Sequence, residues 1–288
     1  MTTVEFVEDL SRLPAQPAAA VKVLRLIEDP RASAADLARL IEADPVLSAR
    51  VMRLANAPYY GLSRKVGSAS RAVVLLGFST VRALAVSAAC SLLGDDASLG
   101  PAGFWSHSVA TAAAASVVAG EVGAPAGEAF SAGLLHDIGV ALLFRRDRAG
   151  YQDIVARFGH PSGAGGPGAG AAAEAKPGLL TAETETFGLT HTEAGAAALE
   201  VWRFPPAFVR AVHDHHNPPE RVRNSLGRLV VAGQALAGLL GTPPDHVPPT
   251  EIGPALDAIG VPADAARRLT AEARREIEDL GRALGVRK

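Results

Sequence analysis

The chain has 288 residues, with 28 Lys and Arg against 30 Asp and Glu and a formal net charge of −2. This length is sufficient to bury a core, which excludes a disulfide-stapled miniprotein. The near-neutral charge excludes a global positive field that would hold a nucleic-acid backbone or an anionic membrane. Because the single cysteine, Cys90, cannot form an internal disulfide and the first twenty residues do not resemble a signal peptide, we expect a cytoplasmic protein.

Apolar residues recur at helical spacing along the whole chain, which predicts an all-α fold. Ser33 with Asp36 predicts one helix start, Asp44 followed by Pro45 predicts the next, and Thr190 with Glu193 forms a capping-box pattern that predicts a later one. Gly77 predicts a helix end. Further helices are expected at about residues 68–76, 79–93, 104–119, 130–144, 151–158, 190–202, 206–216 and 225–240. The longest charge-free window, 97–120, is expected to hold a buried core helix rather than a membrane span.

Two segments interrupt the helical pattern. Ten of the twenty residues from 159 to 178 are Gly or Pro, which predicts a flexible surface insertion, with a regulatory or partner-binding role as the alternative. Four prolines between 243 and 249 precede a C-terminal helical extension, residues 250–288. Its apolar stripe is expected to pack on the chain's own body, with dimerisation or partner binding as alternatives. The stripe comprises Leu269, Ala273, Ile277, Leu280 and Leu284.

The candidate functional residues are histidines and aspartates close to predicted helix ends. They are His107, His136, Asp137, His191, His213, Asp214, His215 and His216. Imidazole nitrogens and a carboxylate suit a divalent first-row metal, and such groups can converge from separate helices in a helical core. A thiolate zinc site is excluded because only one cysteine is present. The alternative interpretation is that these are core histidines, or cations that favour helix C-termini.

Taken in order, the segments resemble the HDOD proteins, a branch of the HD-domain superfamily associated with signalling, over about residues 10–240. The first half is matched by Leu13-Pro14, Ile41 to Leu47, Leu54 to Asn56, Ser68 to Ala72 and Leu75 to Gly77. The second half is matched by Phe104 to Ser108, Ala132 to Gly139, Thr190 to Ala196, Trp202 to Pro205 and His215-His216. The resemblance implies an N-terminal helical subdomain, residues 10–95, packed beside a degenerate HD-type bundle, residues 100–240.

The resemblance also implies a metal site. In HD-domain phosphohydrolases the matching residues bind one or two divalent metals, which activate water for attack on a phosphoester. The resemblance places these ligand positions at His107, His136, Asp137, His191, His215 and His216. Here Mn, Fe, Zn and Mg are the candidate ions for a weakly bound metal. Two positions depart from the pattern: Gly233 stands where the last Asp ligand is expected, and Val140 replaces the Lys of cyclic-dinucleotide hydrolases. Each loss weakens the case for hydrolysis.

We therefore expect a non-catalytic bacterial regulatory module that binds a signalling protein partner or a small nucleotide effector, with homodimerisation left open. The alternative is a metal-dependent phosphohydrolase acting on a nucleotide or cyclic dinucleotide. A small polar and aromatic surface is a candidate binding patch, against an interpretation as ordinary loop residues. It comprises Tyr59, Tyr60, Arg64, Lys65 and Arg71. Arginine groups at 145–148 and 267–275 are expected to lie on solvated helix faces rather than to bind nucleic acid.

Overall fold

The computed structural model describes residue 26 and residues 33–43, 45–58, 66–89, 100–101, 103–158, 178–241 and 251–284. These residues form helices joined by turns, with no strand among them, so the all-α prediction is confirmed. Cys90, most of the predicted insertion, and the candidate surface residues Tyr59, Tyr60, Arg64 and Lys65 lie outside the described ranges.

The N-terminal half contains helices α1 (Ala34–Glu42), α2 (Pro45–Ala55) and α3 (Ala69–Ala89). The first begins as predicted: the Ser33 side chain accepts a hydrogen bond from the Asp36 amide, and the Asp36 carboxylate accepts one from the Ser33 amide. Gly77 interrupts α3 with a φ of +78°, a left-handed conformation that glycine adopts without strain. The break therefore falls where the sequence predicts a helix end.

The second half contains eight of the described helices. They are α4 (Phe104–Glu121), α5 (Ala126–Leu135), α6 (Ile138–Arg146), α7 (Arg148–Phe158), α8 (Leu179–Phe187), α9 (His191–Val201), α10 (Pro206–Asp214) and α11 (Ser225–Leu239). Helix α4 is central and packs against α5 and α11. Small residues allow the close approach: a Cβ on Gly133 would lie 2.8 Å from the Ala112 Cα, and one on Gly233 would lie 2.6 Å from the Ala115 nitrogen.

Two sequence-based expectations are wrong in this half. The single helix predicted for residues 130–144 is two helices, because His136 and Asp137 separate α5 from α6 and Asp137 has non-helical backbone angles. Helix α8 falls just after the Gly- and Pro-rich segment and was not predicted. Helix α11 begins at Ser225 as predicted, and the side chain of Asn224 caps it. Because the chain breaks between α5 and α6, His136 and Asp137 lie at a helix junction, where their side chains can leave the regular helical pattern.

The C-terminal extension contains α12 (Ile252–Asp257) and α13 (Ala266–Leu284). Helix α13 packs against α4 of the second half and α2 of the first, and Arg268 donates a 2.6 Å hydrogen bond to Glu121 at the end of α4. Leu269, Ala273 and Leu280 are buried, so the predicted apolar stripe covers the chain's own body. The two halves also meet directly through α3 and α5.

Among the described residues, one stretch, Ala126–Arg146, is long and apolar enough to cross a membrane by length and composition. It comprises α5 and α6, and 89% of its most apolar window is buried inside the fold. It also carries the buried residues His136 and Asp137. The apolar character of this stretch is thus explained by its place in the helical core.

Candidate metal centre

The structure brings together all six residues that the resemblance implies as ligands, whereas His213 and Asp214 pair with each other at 2.8 Å outside these ligand groups. His107 lies in the first turn of α4, His136 and Asp137 lie between α5 and α6, His191 begins α9, and His215 and His216 follow α10. The Nε2 atoms of His107 and His136 are 3.1 Å apart, and those of His191 and His216 are 2.9 Å apart. Helix ends from both sides of the predicted insertion therefore converge on one site.

Asp137 is the centre of this cluster. Its Oδ2 lies 3.2 Å from His136 Nε2 and 3.6 Å from His107 Nε2. Its Oδ1 lies 3.1 Å from His215 Nε2 and 3.6 Å from His191 Nε2. The ligand-type atoms thus form two groups that share this carboxylate, one with His107 and His136 and the other with His191, His215 and His216.

Hydrogen bonds at the opposite ring edge fix the tautomers of three histidines. The Nδ1 of His136 donates to the Gly133 carbonyl at 2.8 Å, and that of His215 donates to the Val212 carbonyl at 2.6 Å. The Nδ1 of His191 donates to a carboxylate at 2.9 Å. Because carbonyl and carboxylate oxygens only accept, Nδ1 carries a proton in each ring, and the Nε2 atom that faces Asp137 is the one that can bind a metal through its lone pair.

A divalent cation fits this arrangement. Lone pairs of nitrogen and oxygen that face one another at 3.1–3.6 Å repel unless a proton or a metal lies among them. Ligands bound to one ion at about 2.0–2.2 Å are separated by roughly 3.0–3.5 Å for ordinary coordination geometries. The spacing and the donor set therefore both suit a first-row divalent metal, as the sequence suggested.

The carboxylate that orients His191 is Glu183, a residue that the sequence analysis missed. Both residues are fully buried. Glu183 accepts from the His191 Nδ1 and from the His191 amide at 2.8 Å. Tyr151, from α7, donates its hydroxyl proton to the same carboxylate at 2.5 Å. These donors occupy both carboxylate oxygens of Glu183. Glu183 therefore orients the His191 ring and does not itself face the cluster.

Close packing of α6 against α9 brings the Asp137 junction to His191. A Cβ on Gly139 would overlap the His191 carbonyl oxygen and would lie 2.7 Å from the Gly195 nitrogen. The start of α9 itself is fixed by Thr190 and Glu193, which form the capping box that the sequence predicted. Gly139, Gly195 and the capping box of α9 thus set the backbone positions of Asp137 and His191.

Burial and the neighbouring charges shift the pKa values of the cluster in opposite directions. Burial would raise the pKa of Asp137, but the imidazoles of His136 and His215 hold it well below its usual value. Burial lowers the pKa of His215 to about 4. Burial would also lower the pKa of His191, but the carboxylate of Glu183 outweighs it, and the net shift is upward. Asp137 is therefore ionised and His215 neutral at pH 7.

Gly233 and Val140, the two departures from the HD pattern, are both buried. Helix α11 carries no Asp or Glu at any position, so it supplies no carboxylate ligand in any register. Gly233 itself lies against Ala115, eight residues along α4 from His107, which corresponds to about 12 Å of helix. Val140 is fully buried, in a place where the ammonium group of a lysine would be desolvated.

The other candidate surfaces are not part of this cluster. Of the predicted polar and aromatic patch, only Arg71 lies in the described ranges; it is exposed in the first turn of α3, where its amide donates to the Ser68 hydroxyl. The arginines at 145, 146, 148, 267, 268, 274 and 275 are exposed on helices, as predicted for solvated faces.

Comparison with known proteins gives a consistent picture. A family model of the HDOD domain matches residues 13–218. An uncharacterized protein of Treponema pallidum (strain Nichols) is 22% identical over 248 residues, which cover 84% of this chain and 45% of that protein. The chain thus spans less than half the length of this curated relative.

Two solved structures share the fold. A candidate phosphohydrolase from Shewanella amazonensis SB2B is similar with a TM-score of 0.69, at 24% identity and over 97% of each chain. A candidate signal-transduction protein from Marinobacter aquaeolei VT8 is similar with a TM-score of 0.66, at 22% identity, over 95% of this chain and 59% of that one. At these identities the likeness establishes the fold alone.

Proposed function

This chain belongs to the HDOD domain family, and on that premise we propose that it is a bacterial signal-transduction module whose His–Asp cluster binds a divalent metal without turnover of phosphoesters. In this proposal the module acts by binding a protein partner or a small effector. The similar fold of a candidate signal-transduction protein supports the assignment. The bound metal organises the helix ends that converge on Asp137.

Burial of the cluster is the observation that carries the proposal. The exposed fractions of His107, His136, Asp137, His191 and His215 are between 0% and 3%; His216 alone is partly exposed. A phosphoester that is hydrolysed has to place its phosphorus beside a metal-bound water, and buried ligands hinder this approach. The absence of a carboxylate on α11 also removes an anionic ligand that would strengthen metal binding.

The residues that would hold the metal are defined by their tautomers. The Nε2 atoms of His191 and His215 and the carboxylate of Asp137 are the oriented donors of one ligand group, and His136 Nε2 with the same carboxylate belongs to the other. A divalent ion bound there supplies Lewis acidity and lowers the pKa of a water ligand. The chain's own residues contribute orientation, since backbone carbonyls and Glu183 hold the rings in place.

A cleft between the two halves bears on the class of partner. Its volume is about 780 Å³, and it lies between α3, α4, α5 and α13. Its charged lining residues are Glu121, Glu272, Glu276 and Arg268, and the guanidinium is bonded to Glu121. Because carboxylates predominate, this cleft disfavours an anionic nucleotide, which supports a protein partner over a nucleotide effector for this part of the molecule.

Metal content and phosphoester turnover together test the proposal. The parent and a His136→Ala, Asp137→Ala double variant are incubated with Mn, Fe, Zn or Mg, desalted and analysed for bound metal. We expect near-stoichiometric metal in the parent alone, and no phosphate-ester cleavage with a generic diester or a cyclic dinucleotide. Absence of metal from the parent would overturn the metal assignment, and metal-dependent cleavage that the double variant loses would overturn the non-catalytic one.

The second candidate function is a metal-dependent phosphohydrolase acting on a nucleotide or cyclic dinucleotide. The position of Asp137 in both ligand groups favours it, since a shared carboxylate suits a two-metal site that binds the attacking and leaving oxygens. The name of the Shewanella amazonensis neighbour points the same way. The turnover assay above separates the two functions, because the candidate hydrolase requires cleavage that depends on both Asp137 and an added metal.

A further inference from the structure

The environment of Glu183 differs from that of every other group around the cluster. The side chain lies on α8, is fully buried, and has no solvent to compensate its charge. A buried carboxylate is costly unless it is paired and hydrogen-bonded. Here the Tyr151 hydroxyl, the His191 amide and the His191 Nδ1 supply the donors, at 2.5, 2.8 and 2.9 Å respectively.

We propose that Glu183, held in place by Tyr151, positions His191 and makes the metal position formed by Asp137, His191, His215 and His216 the tighter of the two in the cluster. This inference rests on the proposed metal binding and assigns unequal roles to its two ligand groups. Glu183 is a positioning residue, because its oxygens contact the ligand ring and not the other ligand atoms.

The contrast with the other oriented rings supports this assignment. His136 and His215 donate to the backbone carbonyls of Gly133 and Val212, which are neutral acceptors. Among the oriented histidines of the described cluster, His191 donates to an anion instead. An anionic acceptor makes the ring a stronger donor to a metal and fixes its orientation through a charge-assisted bond.

Charge balance also separates the two positions. Among the residues that the structure describes, the group of His107 and His136 contains one carboxylate, that of the shared Asp137. The group of His191, His215 and His216 has that carboxylate together with Glu183 behind His191. Two negative charges balance one divalent ion in this buried site, whereas one charge does not. The first metal to bind is therefore placed in the group that contains His191.

A purely structural role for Glu183 makes a different prediction. Tyr151, Glu183 and His191 lie on α7, α8 and α9, so their hydrogen bonds also join three helices. If this were their whole contribution, substitutions would change thermal stability but leave the metal environment unaltered. Metal affinity and the spectrum of the bound ion therefore distinguish the two roles.

Titration with Co²⁺, followed by its visible absorption, provides the test. In the parent we expect two binding steps of unequal affinity. Glu183→Gln preserves the side-chain size and should weaken the first step about 10- to 100-fold and shift its absorption bands. Tyr151→Phe removes one donor to Glu183 and should weaken the same step by a smaller factor. His107→Ala should remove the weaker step only.

The matched control is Glu185→Gln, on the exposed face of the same helix, which should leave both steps unchanged. Parent-like Co²⁺ affinity and spectrum in Glu183→Gln would overturn the inference and leave the metal-binding proposal intact. If Glu183→Gln does not fold, Tyr151→Phe decides: a parent-like first step and spectrum in that variant overturns the inference. Failure of the parent to bind Co²⁺, or any other divalent ion, overturns the metal-binding proposal itself.

Discussion

Substitution of Gly139 by alanine is the sharpest test of how the fold positions the cluster. The added Cβ overlaps the His191 carbonyl oxygen and lies 2.7 Å from the Gly195 nitrogen. Both neighbours are backbone atoms, so no rotamer change relieves the overlap. Restoring ordinary contact at about 3.5 Å requires α6 and α9 to separate by at least about 0.8 Å at Gly195, and by more at the His191 carbonyl oxygen. Metal–ligand distances tolerate only about 0.2 Å.

The Gly139→Ala variant should therefore lose both stability and metal. Overpacking of this kind costs about 1–3 kcal/mol, which lowers Tm by roughly 2–5 °C in a chain of 288 residues. Metal affinity should fall at least about tenfold, because His191 moves relative to Asp137. Differential scanning calorimetry and elemental analysis of the desalted protein measure the two effects.

The control is Gly120→Ala, since a Cβ at Gly120 meets nothing within 4 Å and its backbone is helical. This change should stabilise α4 by up to about 1 kcal/mol, the difference in helix propensity, and leave metal content unchanged. A Gly139→Ala protein with the Tm and metal content of the parent would show that the contact between α6 and α9 does not hold the cluster together, and the packing argument would be refuted.

Three further predictions follow from the described contacts. Ser33→Ala removes the cap of α1 and should cost about 1 kcal/mol in denaturant unfolding; an unchanged midpoint would contradict the assigned cap. Gly233→Asp should not restore a metal ligand but should lower stability by about 1–3 kcal/mol, because its Cβ would lie 2.6 Å from the Ala115 nitrogen; a gain of metal without loss of Tm would argue against this. Burial acts to lower the pKa of His191, but the Glu183 carboxylate outweighs it and the net shift is upward. A metal therefore competes with a proton for the His191 ring. The dissociation constant of the metal should rise about tenfold for each pH unit below the pKa of His191. His215, with a pKa of about 4, should add to this pH dependence only in stronger acid. A calorimetric titration between pH 5 and 8 that shows no pH dependence would contradict the assignment of His191 as a metal ligand.

Local signals in the sequence were sufficient to predict several helix starts. Ser33 with Asp36, and Thr190 with Glu193, form the capping boxes that their spacing suggests. Pro206 occupies the first turn of α10, where its missing N–H costs nothing. These features depend on three or four adjacent residues, so tertiary contacts do not override them.

The break at His136-Asp137 and the helix α8 depend on contacts that the sequence does not display. Apolar residues continue at helical spacing from Phe130 to Phe144, so periodicity alone predicts an unbroken helix. The interruption coincides with the close approach of Gly139 to α9, which brings together residues more than fifty positions apart. Helix α8 has only nine residues, and the glycine-rich segment before it obscures its start.

The ligand cluster was predicted through the family resemblance, whereas the residue that orients His191 was not predicted. The sequence does contain a signal for this residue, Glu183. Leu179, Glu183 and Phe187 are spaced four apart and all three are buried, so the carboxylate occupies the apolar face of an amphipathic helix. A charged residue at such a position is almost never fully buried unless it is paired. A helix over this segment places Glu183 on its apolar face, as a buried acid that needs a partner.

The location of the cluster at helix ends connects metal binding to the rigidity of the fold. Its ligands come from the start of α4, the junction of α5 and α6, the start of α9 and the end of α10. An ion that binds only the folded arrangement stabilises it by about 2.7 kcal/mol at a concentration one hundred times its dissociation constant. That free energy acts on the relative positions of these helices, and α4 and α5 also contact α13 and α3, on which the N-terminal half packs. A metal bound in this position would therefore change how firmly the two halves are held together, which would give the proposed module a physical means of altering the surface that it presents to a partner.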